Sequence, residues 1–133
     1  MRKLLILLLL PLTAMAVPPK TPKEQADAFL ASVVSGNVTG GYDQLFKGTS
    51  MAATKPQALA MLKSQTQAQL PLFGKVVGFE LLKEEAFGTS IVRLVYALKS
   101  EIAPTIWVFH FYKTTGPWTL SNVAFNDDLK ELR

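Results

Sequence analysis

Thr105-Ile106-Trp107-Val108-Phe109-His110-Phe111-Tyr112-Lys113 is the stretch that decides the fold. β-Branched and aromatic side chains hold nearly every position in it, which reads as a strand. Alternation puts Trp107, Phe109 and Phe111 on one face and Ile106, Val108, His110 and Tyr112 on the other, so neither face is made for water. A strand apolar on both sides is expected to be covered on both sides. Upstream, the segment 89–100 alternates in the same way. Val92, Leu94, Tyr96 and Leu98 share the face that should meet the rest of the core, opposite Ile91, Arg93, Val95, Ala97 and Lys99. Two further strands fit at 75–84 and 118–125, with turn-forming residues at 86–88, 101–104 and 114–117. Connections this short imply antiparallel neighbours.

N-terminal to Gly74 the apolar period changes from two to that of a helix. Thr21-Pro22-Lys23-Glu24 sets a capping hydroxyl, a proline in the first turn and a carboxylate three residues past the cap. Ala26, Phe29, Leu30, Val33 and Val34 then recur on one face until Gly36, predicting a helix over 22–35. Gly40-Gly41 reads as a bend leading into a short helix around Tyr42-Asp43-Gln44-Leu45-Phe46. Thr54-Lys55-Pro56-Gln57 offers another capping pair, and Leu59, Leu62, Thr66 and Leu70 stripe the longest helix, which Pro71 should end. Its outer face is Lys63, Gln65, Gln67 and Gln69. Helices followed by a four-stranded antiparallel meander make an α+β domain, with helices on one sheet face.

The first residues have a different job. Arg2 and Lys3 precede the apolar run Leu4 to Leu10, and Ala14-Met15-Ala16 supplies small residues for cleavage, the layout of a secretory signal. A spanning helix needs about 20 apolar residues, and Pro11 interrupts this run early. Cleavage is expected after Ala16, leaving a linker over 17–21 and one domain over 22–133. Removing the first 16 of 133 residues leaves 117, enough for one core and too few for two domains. The formal net charge falls from +4 to +2 when Arg2 and Lys3 leave. The remaining lysines are scattered from Lys20 to Lys130, with no basic stripe of the kind that binds nucleic acid. The chain has no cysteine, so disulfides and thiolate chemistry are excluded and the core alone must hold the fold. That suits a periplasmic or secreted bacterial protein with no membrane attachment once the signal is cut.

The order of elements resembles the nuclear-transport-factor-two-like superfamily, whose cone-shaped, cystatin-like fold is shared with ketosteroid isomerases and scytalone dehydratase. The resemblance runs over nearly all of 22–125. It is carried by Ala28-Phe29-Leu30 through Ser35-Gly36-Asn37, by Tyr42-Asp43-Gln44-Leu45-Phe46, by Gly74-Lys75-Val76 opening the sheet, and by 107–113 leading through Gly116-Pro117-Trp118-Thr119-Leu120 to the last strand. It implies a curved sheet, a pocket between its concave face and the helices, and dimerisation through the opposite face. An enzyme on this fold needs a base and an oxyanion stabiliser inside the cone. No acidic residue here stands in a motif matching those enzymes, so no catalytic residue is assigned.

Three side chains are the ligand-binding candidates. Tyr42 and Tyr96 combine an apolar ring with a hydroxyl that needs a partner when buried. His110, the only histidine, either carries a proton or holds a ligand, or else packs at the sheet. Glu80 either turns into a pocket or faces solvent beside Glu84, which shares its parity, with Val77, Phe79 and Leu81 forming the better apolar face. Arg93, opposite the core face, suits an exposed rim or a subunit contact. One histidine and no cysteine give no evident transition-metal set, and no phosphate loop or Gly-x-Ser-x-Gly motif is present, so neither metal nor cofactor is expected. The leading reading is an exported, non-catalytic domain that binds a small apolar ligand or a protein partner as a homodimer. An isomerase- or dehydratase-like enzyme and a structural homodimeric module are the alternatives.

Overall fold

The computed structural model describes residues 20–132. The expected signal segment and the expected cleavage after Ala16 lie outside the described residues. Helix α1 (Pro22–Val34) starts as its cap predicts: Thr21 Oγ1 accepts from the Glu24 N–H at 3.1 Å and Pro22 opens the first turn. Its buried face is Ala26, Phe29, Leu30 and Val33, and Gly36 leaves the helix at φ +86°.

Helix α2 (Val38–Leu45) begins earlier than the glycine pair suggests. The Asn37 side chain accepts from the Gly40 N–H at 3.0 Å and draws Gly40 and Gly41 into the first turns, so the expected bend is helix. Gly41 has a packing reason. A Cβ there would lie 3.1 Å from Ser32 Cβ and 3.2 Å from the Phe29 ring, so its absence lets α2 press on α1.

Helix α3 (Ser50–Thr54), a single turn, was not anticipated; Thr49 Oγ1 caps it at the Ala52 N–H. Thr54 does not cap the next helix but turns its hydroxyl back to the Ser50 carbonyl at 2.7 Å. Helix α4 (Pro56–Gln69) therefore starts on Pro56 without a side-chain cap, buries Leu59 and Thr66, and tightens into a 3-10 turn, Leu70–Phe73. Pro71 ends the α-helix without ending the helical winding, because a proline in a first turn loses no hydrogen bond.

The sheet is a meander in the order β1 (Val76–Phe87), β2 (Ile91–Ser100), β3 (Thr105–Tyr112), β4 (Thr119–Asn126), every neighbour antiparallel. Strand β1 outruns the expected 75–84 and carries two irregularities. Val76 pairs with Ser100 but Gly78 with Lys99; Leu81 pairs with Tyr96 but Lys83 with Val95. Val77 and Leu82 are thus extra residues, 58% and 39% exposed. The first removes Val77 from the apolar face it was expected to share with Phe79 and Leu81. The second inverts the parity downstream: Glu80 pairs across from Ala97 on the face away from the helices, whereas Glu84 pairs across from Leu94 on the helix side. Glu80 is exposed and bridges to Lys99 Nζ at 3.0 Å. As an edge strand, β1 is also blunted by these bulges and by Lys83, Glu84 and Glu85 against pairing with another chain.

Both faces of β3 are covered, as its composition requires. On the helix side Trp107, Phe109 and Phe111 join Leu94, Tyr96, Leu98 and the helical core residues in one buried cluster. Phe29 is its hub, with ring centroids 4.8 Å from Tyr42, 5.4 Å from Trp107 and 5.9 Å from Phe109. On the other side Val95, Ala97, Ile106 and Val108 form a second buried cluster. Among the described residues no helix is long and apolar enough to cross a membrane.

Candidate functional site

Tyr42 reaches inward from α2 and is fully buried, its Oη 2.7 Å from Thr66 Oγ1 on α4. Thr66 gives its one hydroxyl proton to the Leu62 carbonyl at 2.8 Å, so the Tyr42 phenol is the donor between them. Burial pushes this phenol up to about 12.

Tyr96, on β2, is also fully buried and donates to Asp27 Oδ1 of α1 at 2.6 Å; the other Asp27 oxygen bridges to Lys23 Nζ at 2.6 Å. Burial first, then the Asp27 hydrogen bond and charge, with Glu84 adding a little, hold the Tyr96 proton far above the ordinary phenol range. The two tyrosines share the helix side of the sheet and are joined through Phe29 and Phe109, with Tyr96 and Phe109 centroids 5.7 Å apart.

His110 is not with them. It lies on the opposite face, across from Arg93 on β2 and Asn122 on β4. Arg93 is anchored there by Glu85 at 2.5 Å, and that guanidinium holds the Glu85 carboxyl below its usual range.

With the aromatic interior closed by ring contacts, space is left at its margins. A cleft of about 430 Å³ lies where the ends of α1 and α4 meet the start of α2 and of β1. Val33, Val38, Leu70, Pro71 and Val76 wall it, and Gln67 and Lys75 contribute its polar groups. Glycines create it: Gly36 and Gly74, both at positive φ, turn the chain away at two element ends and bring no side chain into the gap. A Cβ on Gly74 would stand 3.0 Å from the Ile102 backbone nitrogen, so the loop before β1 packs against the β2–β3 turn only because this residue is glycine.

A second, smaller cleft of about 260 Å³ opens between α4 and strands β3 and β4, with Tyr42, Thr66, Trp107 and Phe125 in its wall and Gln65 and Gln69 beside them. Of the three candidates read from the sequence, Tyr42 lines this cleft; Tyr96 and His110 line neither. The walls of the larger cleft were read in the sequence as core (Val33, Leu70) or as surface (Gln67, Lys75). The signal that marks them is the pairing of Gly36 with Pro71 and Gly74, chain exits that bring apolar helix ends to an unfilled corner.

Among the described residues no group of three or more His, Asp or Glu is placed to hold a metal ion. Family models, curated proteins and solved structures give no match to this chain.

Proposed function

We propose that this chain is an exported domain of the cone-like, nuclear-transport-factor-two-like kind that binds a small apolar ligand without transforming it. The cleft walled by Val33, Val38, Leu70 and Val76 carries the reading. It falls within the size range of small-molecule sites and has the predominantly apolar lining with few polar groups that such sites have. The buried hydroxyls, by contrast, are spent inside the protein, Tyr42 on Thr66 and Tyr96 on Asp27.

Native mass spectrometry of protein purified gently from its host's exported fraction should show a retained small molecule and a chain beginning at Val17. The neutral fluorophore N-phenyl-1-naphthylamine should brighten on titration with the protein. Val76→Trp, which fills the cleft from a partly buried strand position, should abolish the signal while the far-ultraviolet circular dichroism stays unchanged. No brightening with the unsubstituted protein sinks the proposal.

A homodimer through the sheet face away from the helices would meet the exposed rim of that face, Ile91 and Tyr112, because Val95, Ala97, Ile106 and Val108 are already buried within the single chain. Light scattering at tens of micromolar should return twice the chain mass; the monomer mass would remove this contact.

The isomerase-like alternative has one specific observation in its favour, the short Tyr96–Asp27 hydrogen bond. That carboxylate is also held by Lys23, and neither residue lines the two clefts, so the pair reads better as a strut between α1 and β2.

A further inference from the structure

We infer that the ligand of the larger cleft is a medium-chain carboxylate, its chain lying among Val33, Val38, Leu70 and Val76 and its head group meeting Lys75. This rests on the binding reading above and gives it a chemical class.

The polar side chains among the residues lining the cleft are one cation, Lys75, and one neutral amide, Gln67. The Gln67 amide is partly used, its Nε2 donating to Thr39 Oγ1 at 3.3 Å. Lys75 is an exposed residue whose carbonyl accepts from the Glu101 N–H at 2.9 Å, which fixes the base of its side chain at the cleft. Glu101 is bonded to it through the backbone, yet among the described residues Lys75 forms no ion pair with Glu101 or with any other acid. An apolar recess with a lysine that forms no ion pair among its lining residues is complementary to a molecule with an apolar body and one negative end, and opposes one with a positive end.

Size narrows the class further. At about 30 Å³ for a water-sized group, a cleft of about 430 Å³ holds on the order of a dozen methylene-sized groups. That is the bulk of a chain of about 8–12 carbons with its carboxylate.

Calorimetric titration of the purified exported protein with octanoate, decanoate, decanol and decyltrimethylammonium tests this. Affinity should rise about fourfold per added methylene from octanoate to decanoate. Decanoate should exceed decanol by about two- to fivefold, the range of an exposed ion pair, with that margin shrinking as salt is raised. Decyltrimethylammonium should bind weakest. Lys75→Gln, a surface change, should bring decanoate down to the decanol value and leave decanol unmoved. Equal binding of decanoate and decanol by the unsubstituted protein, or tightest binding of the cationic chain, would overturn the carboxylate assignment while leaving the cleft a binding site. Absence of binding by all four overturns both. Binding that survives Val76→Trp places the carboxylate elsewhere and also overturns the assignment.

Discussion

Trp107→Ala should lower the free energy of unfolding by about 3–5 kcal/mol, the usual cost of emptying a buried tryptophan site. Trp107 is wholly buried on β3 with aromatic neighbours on two other elements: Phe29 of α1 at 5.4 Å and Phe125 of β4 at 4.3 Å, stacked at 15°. Its Nε1 donates to Thr105 Oγ1 at 3.0 Å, so truncation also strips a partner from the fully buried Thr105. The site cannot collapse easily, because the strand is held on both sides by ladder bonds and the helix above rests on the same hub. A single domain has about 5–15 kcal/mol in all, so the variant should lose at least about a fifth of its stability and melt at least about 10 °C lower, at roughly 4 °C per kcal/mol. Urea unfolding followed by circular dichroism measures it. A loss under about 1 kcal/mol would mean that Trp107 is not at the centre of the packing between helices and sheet.

The second large effect is alkaline. Tyr42 and Tyr96 hold their protons in the folded protein to higher pH than in the unfolded chain, where a tyrosine titrates near 10.0. Above that value the folded state binds more protons than the unfolded one, so stability is untouched at neutral pH and falls as pH rises past about 10. Each tyrosine contributes a slope of about 1.4 kcal/mol per pH unit. Tyr42 alone, held up to about 12, accounts for about 2.7 kcal/mol by that pH. Denaturant midpoints between pH 8 and 11.5 should bend downward near 10. Tyr42→Phe and Tyr96→Phe should each remove about half of the tyrosine slope, and the double substitution should leave only the background from lysine titration. If the double variant has the same pH profile as the unsubstituted protein, the phenols are not the cause. The two single variants also differ at neutral pH. Tyr42→Phe leaves Thr66 with its bond to the Leu62 carbonyl, whereas Tyr96→Phe leaves Asp27 with Lys23 alone.

Local chemistry explains which parts of this architecture can be read from residue order. The cap at Thr21, the proline after it and the glycine at 36 act within one helical turn, so the first helix is legible to within a residue. Alternation along 91–99 and 105–113 acts between next-nearest neighbours, and both faces of β2 and β3 follow from it. Misreadings begin where a local signal has two uses. Thr54 can cap forward or bond back, and the Ser50 carbonyl wins; Gly40 and Gly41 can bend or wind, and the Asn37 side chain decides for winding.

From its sequence alone, then, this protein is an α+β chain whose third strand must be buried on both faces, because the spacing of its side chains along the backbone admits nothing else. Tertiary structure alone decided the rest. The bulge at Leu82 that carries Glu84 to the helix side depends on what β2 presents opposite it, and not on β1. The bonds of Tyr42 to Thr66 and Tyr96 to Asp27 join residues 24 and 69 positions apart, which no local spacing encodes. The cleft beside Lys75 is the space left when the glycine-terminated ends of elements distant in sequence come to rest at one corner. Such a volume belongs to no segment, so it exists only once the helices have settled on the sheet.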